Sequence, residues 1–460
     1  MENDDDKEAG QKDNKNLRDE PNRPRTKRSS RASRRSVLKY LGPGVITGAA
    51  DDDPSGIATY SQAGANFGFG MLWMVIYLYP MMTVIQEICA KIGLMTGEGL
   101  AAVIKRKYSS KVVLPLASLL LIANTINIGA DIGAMGAAVG LVIPQIPFFV
   151  PTLLFTALII AAEILVPYRR YVKMLKFLTF SIFAYIITAA IVGANPGDLI
   201  AATFIPHIEF TPAFAMMFVA VFGTTISPYL FFWQTSEEVE EEVKDKKIPE
   251  INGGTPTVTK KEFKIMNADV AIGMFSSQLI MWAIMVTAAG GLHAHGITDI
   301  QTSEQAAKAL EPVVKSFPYS GQISKLIFAF GIIGTGMLAV PVLAGSSAYA
   351  LSDTFGWKQG LFKKFKKARA FYLVIAVSTS IGLWINFSDI DPIKALVYTA
   401  VINGVISVPI LFTIMKIAND KKILGKRING RVTNTIGWIT VVIMAVAVVT
   451  MFSTFYYQGT

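Results

Sequence analysis

Three consecutive carboxylates, Asp51, Asp52 and Asp53, interrupt an apolar run that reads Gly44-Val-Ile-Thr-Gly-Ala-Ala-Asp-Asp-Asp-Pro-Ser-Gly-Ile-Ala-Thr-Tyr60. A charge near a bilayer midplane is costly, so it usually faces a cavity and binds something there. Pro54 follows at once, and a proline removes a backbone hydrogen bond and breaks a helix. A broken helix exposes carbonyl oxygens beside the carboxylates. That combination describes a cation site inside a transporter. A second stretch, Phe222-Gly-Thr-Thr-Ile-Ser-Pro-Tyr-Leu230, carries Pro228 in a comparable place. Paired interruptions at corresponding positions of two repeats point to a transport site more strongly than one kink does.

The chain that positions these residues has 460 residues, 52% of them hydrophobic and only 17% charged, with a mean hydropathy of +0.45. These values exclude an ordinary soluble domain and indicate a polytopic helical membrane protein. A bilayer span needs about 20 apolar residues. Eleven segments meet that need, at roughly 43–66, 69–93, 113–142, 149–167, 177–194, 212–234, 266–290, 322–351, 370–387, 394–417 and 436–457. The expected organisation is a cytoplasmic basic tail, disordered by composition, at 1–40 and a transmembrane domain at 41–460. No apolar signal-peptide core stands in the tail. Within the domain, repeat one covers about 43–194, repeat two about 212–417, and an extra helix about 436–457.

The net charge of +10 is distributed by topology rather than for nucleic acid. Lys105, Arg106, Lys107 and Lys111 follow segment two. Arg169, Arg170, Lys173 and Lys176 follow segment four, and Lys363, Lys364, Lys366, Lys367 and Arg369 follow segment eight. The opposite loops hold only scattered lysines such as Lys308, Lys315 and Lys394. This alternation places the N-terminus in the cytoplasm and the C-terminus outside, in a plasma membrane. The single cysteine, Cys89, allows no internal disulfide. The acidic run Glu237–Lys247 in the loop 236–264 reads as a solvated helical extension. His207, His293 and His295 fall in external loops and read as structural.

The residues resemble a known family. Asp53-Pro-Ser-Gly-Ile-Ala-Thr-Tyr-Ser-Gln-Ala-Gly-Ala65 is similar to the Asp-Pro-Gly-Asn…Ala-Gly-Ala stretch of Nramp divalent-metal transporters. Lys91-Ile-Gly-Leu-Met-Thr-Gly97 resembles the end of their second helix and Phe328-Ala-Phe-Gly-Ile-Ile-Gly-Thr-Gly336 their eighth. Asp131 lies where their third helix carries an acid. The resemblance covers roughly residues 40–457. It implies an all-α LeuT-type 5+5 inverted repeat of eleven helices, with helices one and six unwound around a metal.

Departures from the family pattern carry further information. The family asparagine ligand aligns with Gly56, the methionine with Ser227 and the histidine with Tyr229. This pattern resembles the Nramp-related magnesium transporters. A thioether favours soft transition metals, so its loss leaves an all-oxygen site. Mg2+ wants octahedral oxygen and dehydrates reluctantly, so it keeps waters. Small residues at Ser55, Gly56 and Ser227 leave room for them, and Mn2+, which also takes oxygen, stays open.

Asp53 is then the expected anchor, direct or through water. The carbonyls of Thr224 and Ala50 are candidate ligands, and Ser227, Tyr229 and Gly56 shape the site. Asp52 either faces the vestibule or pairs elsewhere, and Asp51 reads as structural. Asn403 either supplies an amide or packs helices.

Family transport is typically proton-driven, through the helix-six histidine and two helix-three acids. Here Tyr229 and Ala134 replace two of these three groups and Asp131 remains, so weak or absent proton coupling is expected. A doubly charged ion gains about 4.6 kcal/mol per 100 mV, enough to drive uptake alone. The metal is cargo, and neither cofactor nor catalytic residue is expected. The expected protein is a monomer in the bilayer with divalent ions as its partners. The alternatives are a proton-coupled Mn2+ or Fe2+ symporter, an organic-cation or amino-acid carrier, and a membrane receptor or enzyme. Glu87 and Lys91 read as a helix pair, and Gly129, Gly133, Gly136 and Gly140 as a close helix contact.

Overall fold

The computed structural model describes residues 42–166, 183–191, 195–315, 319–387 and 391–458. Among these residues there are helices and no strands. In chain order the helices are α1 (Pro43–Asp51), α2 (Pro54–Phe67), α3 (Trp73–Thr96), α4 (Leu100–Tyr108), α5 (Ser110–Val142) and α6 (Phe149–Leu165). Then come α7 (Phe183–Ile191), α8 (Pro196–Phe204), α9 (Pro212–Thr225), α10 (Pro228–Lys244), α11 (Lys260–Gly291) and α12 (Ser303–Lys308). The last six are α13 (Glu311–Val314), α14 (Ser320–Phe355), α15 (Arg369–Ile385), α16 (Pro392–Ala418), α17 (Lys421–Leu424) and α18 (Arg431–Gln458). Proline starts α1, α2, α8, α9, α10 and α16. Its ring presets the helical φ, and its missing N–H falls where none is needed.

Seven stretches are long and apolar enough to cross a membrane, with α9 and α10 taken as one, and two shorter apolar helices, α6 and α15, join them. The α1–α2 pair occupies the first expected span. Only Phe183–Ile191 of the fifth span is described, and the tail and the basic group Arg169, Arg170, Lys173 and Lys176 lie outside the described residues. Helices α4 and α8 were not expected as separate elements. Outward-facing Leu154, Phe275, Leu373 and Val449 are more than half exposed. A broad apolar exterior of this kind suits a lipid environment.

The interrupted helices lie at the centre. Helix α1 packs on α11 and α9 on α16, while α5 makes its most extensive contact with α14. Backbones come close in the first two of these pairs. A Cβ on Gly48 would collide with the Gly273 carbonyl oxygen, and one on Gly223 with that of Ala400. The glycine stripe of α5 behaves as expected at Gly129, whose Cβ would sit 2.6 Å from the Gly382 carbonyl oxygen, but Gly140 faces open space.

One expectation is corrected and a second is extended. The acidic run is helical, as the end of α10, but it is not solvated: Glu237, Glu238, Glu240 and Glu242 are buried. Glu240 Oε1 accepts from the Tyr349 hydroxyl and from the Leu361 amide, each at 2.7 Å. Paired carboxylates can be buried when donors meet them. Second, Lys91 donates to Asn429 Oδ1, in the segment leading into α18, in addition to its charge interaction with Glu87 on the same helix.

Candidate cation site

Helix α1 ends at Asp51, and Asp52 leaves helical geometry with φ −85° and ψ 48°. Asp53 is extended, with φ −69° and ψ 171°, and caps the amino end of α2 by accepting from the Gly56 amide at 2.6 Å. An aspartate is among the best residues for this role, and the helix dipole favours its charge there. The Pro228 break repeats the backbone. Ile226 ends α9 with φ −113° and ψ 61°, and Ser227 opens α10 with φ −79° and ψ 138°.

The second oxygen of Asp53 meets Asn127 of α5, whose amide lies 3.1 Å from it and 3.2 Å from Asp131 Oδ2. Asn127 therefore bridges the two carboxylates. Asp51 Oδ2 accepts from Ser277 of α11 at 2.5 Å, and Asp52 Oδ1 is 3.4 Å from the same hydroxyl. At the second break the Ser407 hydroxyl of α16 donates to the Ile226 carbonyl at 2.8 Å.

The two carbonyls considered as ligands both accept a hydroxyl. Tyr229 donates to the Ala50 carbonyl at 3.0 Å, and Ser227 to the Thr224 carbonyl at 2.8 Å and the Gly223 carbonyl at 2.7 Å. A carbonyl has two lone pairs, so each retains one acceptor position. Ser55 and Gly56 sit in the first turn of α2. Asn403 lies on α16, the helix packed against α9.

Asp51, Asp52, Asp53, Ser55, Asn127, Asp131, Thr224, Ser227, Tyr229 and Asn403 are all buried, Thr224 being the most exposed at 3%. The site is thus sealed from both faces. Among the described residues several of its oxygens have no hydrogen-bond partner: Asp51 Oδ1, Asp52 Oδ2, Ser55 Oγ, Asn127 Oδ1, Asp131 Oδ1 and Asn403 Oδ1. Orphaned buried acceptors are expensive. Oxygen is also the donor atom that Mg2+, Ca2+ or Mn2+ takes, directly or through its waters. Among the described residues no group of three or more His, Cys, Asp and Glu side chains forms a resident metal site.

The expected residues of both breaks thus share one centre with Asp131. Asn127, Ser277 and Ser407 were not anticipated. Asn127 could have been, because it stands one helical turn before Asp131 and shares its face. No local pattern announces Ser277 or Ser407.

Comparison with known proteins follows this geometry. The family model described as Natural resistance-associated macrophage protein-like matches residues 44–454. The Divalent metal cation transporter MntH of Klebsiella pneumoniae is 28% identical over 425 residues, covering 90% of this chain and 94% of that one. The crystal structure of the Eremococcus coleocola manganese transporter, in complex with an aromatic bis-isothiourea compound, superposes with a TM-score of 0.68 at 15% identity. That match covers 92% of this chain and 90% of the other. Mhp1, a nucleobase-cation-symport-1 family transporter in a closed conformation, matches with a TM-score of 0.51 at 11% identity, over 90% of this chain and 92% of that one. These likenesses bear out the expected fold class, an all-helical LeuT-type membrane architecture.

Proposed function

The chain belongs to the Nramp family, and from that premise we propose that it imports divalent cations, Mg2+ ahead of Mn2+, by alternating access without moving protons. Asp53 is the anchor. One of its oxygens is held by the Gly56 amide and the other by Asn127, so the carboxylate is aimed and not free to swing. The observation that carries the reading is the pair of hydroxyl contacts, Tyr229 on Ala50 and Ser227 on Thr224. Where a soft or imidazole ligand would grip a bare metal, this site presents hydroxyls to the backbone. A hydroxyl exchanges readily between a carbonyl and an ion's water, which suits cargo that keeps its hydration shell.

In this reading Asp53 supplies charge, while Ala50, Thr224, Ser55, Ser227, Asn403 and Gly56 supply oxygens and space. Tyr229 cannot serve as a proton carrier near neutral pH. The import direction follows from membrane potential and from a cytoplasmic N-terminus in the plasma membrane. The protein works as a monomer built of two repeats, with α18 added.

Full-length protein in liposomes, under an inside-negative potential, should take up Mg2+, and Asp53→Ala should not. Absence of Mg2+ uptake in correctly inserted wild type would overturn the proposal.

A second reading, a proton-coupled Mn2+ symporter, is favoured by the Asn127 bridge between Asp53 and Asp131 and by the names of the relatives. Acidification of the lumen during Mn2+ uptake would select it.

A further inference from the structure

A groove of about 620 Å³ lies between the start of α5, the second half of α16 and α18. Its wall is formed by Pro115, Leu116, Val408, Pro409, Phe412 and Val441, and Tyr108 and Lys111 stand at one end. Among the described residues no carboxylate lines it. Lys111 is exposed and, among the described residues, makes no hydrogen bond or ion pair. Lys416 is exposed beside the same end, 5.5 Å from the Phe412 ring centroid and 5.9 Å from that of Trp438. Lys107 donates to the Lys416 carbonyl at 2.6 Å and pairs with Asp420 at 3.0 Å, so its charge is already matched. Two cations that, among the described residues, have no acidic partner therefore crown an apolar slot, with the aromatic rings of Tyr108 and Trp438 beside them.

We propose that this groove is a binding site for an anionic phospholipid, one acyl chain lying along Pro409 and Val441 and the phosphate held by Lys111 and Lys416. Charge complementarity selects the occupant. A zwitterionic lipid would satisfy the slot but gain little from two lysines, whereas a basic pocket between membrane helices favours an anionic headgroup. The slot also adjoins the transport machinery. Pro409 interrupts the hydrogen bonding of α16, and Thr413 turns its hydroxyl onto the Pro409 carbonyl at 2.8 Å. Two residues earlier, Ser407 holds the Ile226 carbonyl at the second break. A chain wedged at Val408 and Pro409 thus bears on the segment of α16 that braces the site, so the lipid sets transport rate. This functional half rests on the transport reading above; the binding half does not.

The test uses full-length protein exchanged into mixed phosphatidylglycerol–phosphatidylcholine nanodiscs, released from them, and analysed by native mass spectrometry for retained lipid. Wild type should retain phosphatidylglycerol over phosphatidylcholine by roughly thirtyfold, the scale expected for two lysines at about 1 kcal/mol each near an anionic headgroup. Lys111→Gln with Lys416→Gln should abolish that preference, while Lys111→Arg with Lys416→Arg should keep it and so control for folding. Ala445→Trp, which fills the slot, should abolish retention of both lipids. Equal retention of the two lipids by wild type would overturn the site, as would a preference unchanged in the glutamine variant. So would a dimer sealed through this face with no lipid. In liposomes, cation uptake by wild type should rise with phosphatidylglycerol and that by the glutamine variant should not. A lipid preference without this response would remove the regulatory half alone.

Discussion

At the first break Asp53 turns its carboxylate forward onto the amino end of α2, where the Gly56 amide receives it. At the second break Ser227 turns its hydroxyl backward onto the last carbonyls of α9. The backbones are alike: a residue near φ −100°, an extended residue, then proline at the first helical position. The side chains divide the work. One break carries three carboxylates, and Asp53 among them is held at both oxygens. The other carries no charge and covers its own carbonyls. In the proposed reading such a site would anchor a cation from one side and leave the other side yielding, which suits an ion that arrives with water attached.

The largest expected effect comes from removing the charge but keeping the cap. Asn caps helices as well as Asp does, so Asp53→Asn should fold and insert normally. It should lose transport by about a hundredfold, since hydrogen bonds to charged groups contribute about 1.5–3 kcal/mol. Unchanged uptake in Asp53→Asn would show that the first break is a structural cap alone.

Making the second break grip should change selectivity. Ser227→Met places a thioether beside Thr224, and the uptake ratio of Mn2+ or Cd2+ to Mg2+ should rise about tenfold in parallel flux measurements. No shift would mean that the second break does not face the ion.

A smaller effect is expected where the two breaks touch. Tyr229→Phe removes the hydroxyl from the Ala50 carbonyl, a bond of about 1 kcal/mol, and should loosen the sealed form. Access of a cysteine-directed reagent to Ser55→Cys should rise about fivefold in that background. Unchanged labelling would separate Tyr229 from closure.

The smallest lies far from the site. The Lys363 ammonium bonded to Glu250 at 2.8 Å holds that carboxyl below its ordinary range. A depressed carboxylate contributes stability that is complete above its unfolded pKa and is lost as pH falls through its folded one. Wild type and Glu250→Gln should therefore differ slightly in melting temperature at pH 7 and converge below about pH 4. A difference that widened in acid would reverse the assignment.

Both breaks could be read in the sequence because proline chemistry is local. Pro54 and Pro228 act on their own helix and need no partner to declare them. Apolar length likewise revealed most spans before any packing was known. The bracing of the site was hidden because it is assembled over long chain distances. Ser277 reaches Asp51, and Ser407 reaches Ile226, across separations of 226 and 181 residues. The acidic end of α10 was misread for a related reason. Five glutamates in a run suggest water, and only the fold brings the Tyr349 hydroxyl and the Leu361 amide to Glu240. The further partner of Lys91, Asn429, was hidden in the same way, since it lies 338 residues away.

The most direct measurement follows Mg2+ and pH together inside liposomes of known volume, starting from equal pH on both sides and an imposed inside-negative potential. Mg2+ should enter with no change in lumenal pH, and neither signal should appear with Asp53→Asn. Mg2+ entry accompanied by acidification, or no Mg2+ entry with acidifying Mn2+ entry in its place, would contradict uncoupled Mg2+ import and place the protein with the proton-driven carriers.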